Sequence, residues 1–266
     1  MNKPNRSPFI DALLPQARPM ALEQRFMFDA AVASTITDPQ HALDGTADKT
    51  TADKTLASFA LAPSVSMPVE VRAVDPSLNG GRKEVAFVDT GVADYQTLVD
   101  GIRAGVEVVL LDAGQDGLAQ MALWAQSHSG YDAIHVLSHG SDASIQLGQF
   151  QLNAADLNTS QVQSELLILG QSLTINGDLL IYGCDVALDL EGQRFIANLA
   201  TATRADVAAS ADLTGAADLG GNWVLEQSSG AIETSEVVSS NSYRGLLVNV
   251  TFDFDLNVNG SGTKTL

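Results

Sequence analysis

Two short segments of this chain carry the residue types that cleave amide bonds. Ser138-His139-Gly140 follows the apolar run Ala133-Ile134-His135-Val136-Leu137, and Gly183-Cys184-Asp185 follows Leu179-Leu180-Ile181-Tyr182. A thiol attacks a carbonyl as thiolate, and a histidine within reach can take its proton and return it to the leaving amine. His139 and Cys184 therefore read as a catalytic pair, Cys184 the nucleophile and His139 the base and then the acid. The N–H groups of Gly140 and Cys184 would hold the oxyanion, with Gly140 also letting the chain turn sharply. Taken alone, a histidine at such a place is more often a cap, and a lone cysteine a small buried hydrophobe. It is their occurrence at equivalent strand ends that favours chemistry.

Nearby polar residues carry weaker expectations. Asp185 could line a substrate pocket or orient His139, or cap the helix that follows. Asp89, after the first strand, could shape a substrate cleft or form a turn. Ser138 could hydrogen-bond near the site, and His135 packs within the sheet. Cys184 is the only cysteine, which excludes an internal disulfide and a zinc site built on several thiolates. No metal and no cofactor is expected. The tail motif Asp255-x-Asn257-x-Asn259-Gly260 opens like a calcium loop, but Leu266 stands where the closing Glu belongs.

For both segments to reach one place, their runs must be neighbouring strands of a parallel sheet, whose carboxyl ends gather ligands and catalytic groups. From residue 84 onward the pattern supports this. Apolar runs at 85–88, 106–111, 133–137, 178–182 and 207–210 alternate with helical periodicity at 95–104, 117–127, 161–172 and 192–203, as in a sheet covered on both faces. Residues 144–147 and 149–152 around Gly148 read as a small antiparallel hairpin projecting from the sheet edge, and 222–226 with 231–234 as a second. The fold class is α/β, a parallel sheet flanked by helices with small antiparallel hairpins.

All eight prolines lie between Pro4 and Pro76, along with a direct repeat, Thr46-Ala47-Asp48-Lys49-Thr50 then Thr51-Ala52-Asp53-Lys54-Thr55. Residues 1–81 thus read as a largely unstructured leader and linker, 82–247 as the α/β domain, and 248–266 as a tail or the start of a further segment. Of 266 residues 32 are acidic and 14 basic, a net charge of -18. That field repels phosphate, so nucleic acid is not an expected partner. No run reaches the roughly 18 apolar residues of a membrane helix. The amino terminus lacks an apolar stretch followed by a small-residue cleavage site, so any export would bypass the Sec route.

The order of the pair, histidine 139 and then cysteine 184, matches the caspase pattern, in which the histidine comes first, rather than the papain one. Ala86-Phe87-Val88-Asp89, His135 to Gly140, Leu180 to Ala187 and Asn222-Trp223-Val224-Leu225-Glu226 together resemble the caspase/CHAT-like domain of unknown function found near the amino termini of large bacterial surface proteins with adhesin or calcium-binding repeats. Leu22-Glu23-Gln24-Arg25-Phe26-Met27-Phe28-Asp29-Ala30-Ala31 is similar to the Leu-Glu-Pro-Arg leader that often precedes this domain, with Gln24 in place of the usual proline. The resemblance covers about three fifths of the chain plus the leader. It implies the caspase-haemoglobinase fold, a cysteine peptidase dyad, and a protein exported to the surface of a Gram-negative bacterium by a type I route. The expected activity is that of an endopeptidase acting on a peptide or protein, its own chain included. Two alternatives stay open: a catalytically inactive adhesion or retention module, and a regulatory protease partnered with another protein.

Overall fold

The computed structural model describes residues 65–238 and 242–249. The leader motif at 22–31, the repeated pentapeptide and the 255–260 motif lie outside the described residues. In chain order the strands are β1 (Val69–Arg72), β2 (Glu84–Asp89), β3 (Glu107–Leu111), β4 (Tyr131–Leu137), β5 (Gly140–Ser141), β6 (Ser144–Leu147), β7 (Phe150–Asn153), β8 (Leu173–Tyr182), β9 (Asp206–Ala209) and β10 (Gln227–Ser229). The helices are α1 (Tyr95–Gly101), α2 (Gly117–Ala125), α3 (Ser160–Gln171) and α4 (Leu190–Thr203).

Seven strands form one sheet in the order β1-β3-β2-β4-β8-β9-β10, and β5-β6-β7 form a separate antiparallel sheet. The five inner strands run parallel, while β1 and β10 pair antiparallel at the two edges. This is the α/β layout expected from the alternation of apolar runs and helical stretches, and it is consistent with a caspase-like arrangement.

Side chains alternate between the faces of a strand, so each inner strand feeds two cores. Val85, Phe87, Ile134, Val136, Leu179 and Ile181 point to one face and pack with α2, α3 and α4 through residues such as Leu118, Leu166 and Phe195. Ala86, Val88, Leu137, Leu180 and Tyr182 point to the other, joining Leu98 of α1 and, from the end of the described chain, Val237, Tyr243 and Leu247. Each large apolar side chain buried here contributes about 1.5–3 kcal/mol. The longer helices begin at side-chain caps: Asp116 accepts from the Ala119 N–H, Thr159 from the Val162 N–H, and Asp189 from the Glu191 and Gly192 N–H groups.

Three features differ from the sequence expectation. First, β1 falls in the proline-rich stretch read as linker, because Val69–Arg72 finds the open edge of β3 and Arg72 reaches the carbonyls of Ile102, Arg103 and Val106. Second, the expected hairpin of 222–226 with 231–234 is not formed. Instead β10 pairs with the edge of β9, and the Asn222 side chain ties down Asp212 and the Val224 N–H. Third, the small hairpin at Gly148 gains Gly140–Ser141 as a third strand, which binds it directly to the segment that carries His139.

Candidate functional site

Strands β4 and β8 are parallel neighbours with Leu137 opposite Tyr182, and the Ser138 N–H donates to the Tyr182 carbonyl at 3.1 Å. The two segments beyond them consequently leave the sheet side by side. How close they come is set by their glycines. A Cβ on Gly140 would meet Val186 Cγ2 at 2.6 Å, the Cys184 carbonyl oxygen at 2.8 Å and the Gly183 carbonyl carbon at 2.9 Å, and one on Gly183 would lie 3.1 Å from the Gly140 backbone. Gly140 is thus needed for close approach; it is not among the residues with positive φ, which corrects the turn role read from the sequence.

This contact aims two amides at one point. The Gly140 N–H donates at 2.9 Å and the Cys184 N–H at 3.0 Å to the same acceptor, the main-chain carbonyl oxygen of Leu247. Two preorganised donors on one oxygen form the geometry that would stabilise an oxyanion.

The thiol of Cys184 is fully buried. Its sulfur accepts from the Thr214 N–H at 3.2 Å and its S–H lies 3.5 Å from the Thr214 carbonyl. Burial pushes this thiol up from the ordinary cysteine range, against an opposing pull from the Thr214 N–H. His139 is half-buried, and its Nδ1 is buried with no hydrogen-bond partner. Burial pulls this imidazole below the ordinary histidine value, while the Asp89 charge and the main-chain groups of Gly91 and Leu247 pull it back. Among the described residues no hydrogen bond joins His139 to Cys184. Both shifts favour the neutral forms of the two groups.

Of the three residues expected around a pocket, Asp89 and Ser138 have their side chains engaged in hydrogen bonds. Asp89 is buried, its carboxylate accepting from the Gly91 N–H at 2.8 Å, the Gly148 N–H at 2.7 Å and the Ser138 hydroxyl at 3.0 Å. It forms the turn that the sequence offered as one of its two roles, ties this turn to Ser138 and Gly148, and supplies a charge that acts on the His139 ring. Ser138 is spent on Asp89 and the Gln146 carbonyl. Asp185 adopts a left-handed backbone (φ 60°) and donates its N–H to the Asp212 carbonyl. The cap of the following helix is Asp189, so Asp185 has no capping role, and burial and the Asp212 charge raise its carboxyl. Thr214 and Leu247 went unpredicted. Their contributions are backbone groups, which no residue pattern signals.

A groove of about 670 Å³ is bordered by Tyr182, Ala208, Leu225, Ile232 and Val238 and by neither His139 nor Cys184. Volume and chemistry disagree on the place of the site. The groove offers neither a thiol nor an imidazole, whereas the carbonyl of Leu247 lies on the two amides beside Cys184. Asp178, Asp206 and Glu233 could together hold a cation, since their carboxylate oxygens lie within 4.8 Å of one another. Asp178, midway along β8, lies opposite Asp206, the first residue of β9, and Glu233 follows β10.

Compared with known families, residues 85–247 match the domain of unknown function DUF4347. The chain belongs to this family. No curated protein and no solved structure matches it. The DUF4347 span opens at Val85 in β2 and closes on Leu247, so it contains His139, Cys184, both donor amides and the carbonyl they hold. Among the described residues no helix is long and apolar enough to cross a membrane.

Proposed function

We propose that this DUF4347 domain is a cysteine endopeptidase of caspase-like type, with Cys184 as nucleophile, His139 as base and then acid, and the Gly140 and Cys184 amides as the oxyanion hole. The observation that carries the reading is the convergence of those two N–H groups, at 2.9 and 3.0 Å, on one carbonyl oxygen next to the thiol. A buried cysteine kept only for packing has no need of such an arrangement. The substrate class is a peptide or protein backbone presented as an extended strand, because Gly140 and Thr214 offer main-chain partners on either side of the site. From the resemblance of the 22–31 leader and of the domain we also propose an exported bacterial surface protein, secreted by a type I route, as its setting.

The competing reading is a caspase-like platform that binds without cutting, an adhesion or retention module. It draws on the burial of Cys184 and on the lack of a hydrogen bond between the pair. A leucyl peptidyl-ketone probe separates the two readings when used on the intact chain and on Leu247→Gly, which removes the buried side chain that anchors this strand beside the thiol. The peptidase reading expects alkylation at Cys184 in Leu247→Gly, slowed at least tenfold when His139→Ala is added. Absence of labelling in a folded Leu247→Gly protein, or labelling indifferent to His139, removes it.

A further inference from the structure

Resting on that reading, the geometry points to a particular bond as the substrate: the chain's own Leu247–Val248 peptide. Residues 245–249 lie through the site as a bound strand would. The Leu247 N–H donates to the Thr214 carbonyl at 2.9 Å and the Ala216 N–H to the Gly245 carbonyl at 2.9 Å, with Gly215 opposite Leu246 in antiparallel register. Beyond Leu247 the Asn249 N–H donates to the Gly140 carbonyl at 3.1 Å, and Val248 lies opposite Gly140. The peptide is therefore gripped on both sides of a single carbonyl, and that carbonyl is the one accepting from Gly140 and Cys184. This is strand addition, in which main-chain bonds hold the segment and side-chain pockets choose it.

The side chain at this position is chosen as well. Leu247 is fully buried in the apolar cluster that contains Val88, Leu137, Tyr182, Cys184 and Tyr243. A charged side chain there would be buried without a partner, so the site accepts leucine or a similar aliphatic residue and rejects acidic and basic ones. The family match ends on this residue, so the bond lies at the boundary of the matched domain.

In the reaction the Cys184 sulfur attacks the Leu247 carbonyl carbon, a C–S bond forms, and the thiol proton passes to His139. The carbonyl electron pair moves onto the oxygen held by the two amides. Collapse breaks the C–N bond, and His139 delivers the proton to the Val248 nitrogen, which leaves as a new amino terminus. Water, deprotonated by His139, then attacks the thioester carbon, the C–S bond breaks, the sulfur takes the proton back from His139, and the Leu247 carboxylic acid is released and loses its proton to solvent. Because the segment is already docked, the reaction is intramolecular and its rate does not depend on protein concentration.

The test is incubation of the full 266-residue chain with intact-mass and amino-terminal analysis. Expected is a single cut giving fragments 1–247 and 248–266, with a half-time unchanged over a tenfold range of protein concentration. Cys184→Ala should abolish the cut. Val248→Pro should abolish it too while leaving Leu247 in place, since no described hydrogen bond uses the Val248 N–H, and circular dichroism confirms that each variant is folded. A chain that stays intact at 247, or is cut elsewhere, overturns the inference. Cutting of Cys184→Ala between Leu247 and Val248 overturns it as well. If the chain stays intact while folded Leu247→Gly labels in a His139-dependent way, only this assignment falls; if it neither cuts nor labels, the peptidase reading falls with it.

Discussion

The two ends of the central strands solve the problem of buried polar groups in opposite ways. Toward the amino ends, Glu84 is fully buried and held by two guanidinium groups, Arg82 at 2.7 Å and Arg103 at 2.7 Å, and by a hydrogen bond with His135 Nε2 at 3.1 Å. At the carboxyl ends there is a neutral thiol, an imidazole with an unpartnered Nδ1, and backbone amides gathered on a backbone carbonyl. The carboxylate at one end is locked in mutual contact with its partners, whereas His139 and Cys184 at the other share no hydrogen bond among the described residues. His135 and His139, on the same strand and its extension, divide along this line: one is tied to a carboxylate inside the sheet, the other stands at its rim.

The sharpest way to break this contrast is at Arg103. Arg103→Ala leaves Glu84 without one of its cations, and because removing one member of a buried ion pair is costly, the loss in unfolding free energy should be about 3 kcal/mol by urea denaturation. Alkylation of Cys184 in the surviving folded protein should be unaltered. Equal losses at both ends would mean that the two regions are not separable.

Next in size is Gly140→Ala. The added methyl meets three groups inside 3 Å, which costs about 1–3 kcal/mol and moves the Gly140 N–H off the Leu247 carbonyl. Self-cleavage, read by mass spectrometry, should fall at least a hundredfold, as for other losses of an oxyanion donor. Retention of full activity would show that this amide is not part of the site.

Acid titration sharpens the comparison further. Burial pushes the Glu84 carboxyl up, but hydrogen bonds from His135 and Arg82 and the Arg103 charge overcome it and bring the group down to about 2. A depressed carboxylate stabilises the fold above its unfolded value, near about 4.3, and that contribution disappears as pH falls from there through about 2. Urea midpoints measured across this window should fall steadily, and Glu84→Gln should flatten the slope.

The smallest effect on stability is expected at the reactive end. His139→Ala removes a half-buried ring with an unpartnered nitrogen and should cost less than about 1 kcal/mol in the same assay. It should act on chemistry instead. In Leu247→Gly, alkylation of Cys184 with iodoacetamide should keep rising with pH beyond about 8.5, where a free thiol is half ionised, because the burial that remains raises the thiol. A midpoint below that value would indicate a preformed thiolate and a different mechanism.

Much of the scaffold was legible in advance. Continuous apolar runs such as Leu179-Leu180-Ile181-Tyr182, separated by helical stretches, can be buried only on both faces of a parallel sheet, and this places His139 and Cys184 at one edge. Less legible were contacts that depend on which edge is left open. Val69–Arg72 becomes a strand because β3 has unpaired groups to satisfy, and β10 forms on β9 rather than in a local hairpin for the same reason. Asp89, whose type and place suit a cleft or a turn, makes the turn by accepting from the Gly91 N–H, while its other oxygen takes the Gly148 amide and the Ser138 hydroxyl from other segments, contacts that no local pattern signals.

What the amino-acid order determined by itself is the pairing of a histidine and the sole cysteine at equivalent strand ends, with glycines that let the segments touch. Only the tertiary structure decided what lies over them. The deciding groups are the Thr214 backbone and the carbonyl of Leu247, and every residue in the chain carries a backbone carbonyl. No side-chain pattern distinguishes the one that folding delivers between two amides from the hundreds that it does not.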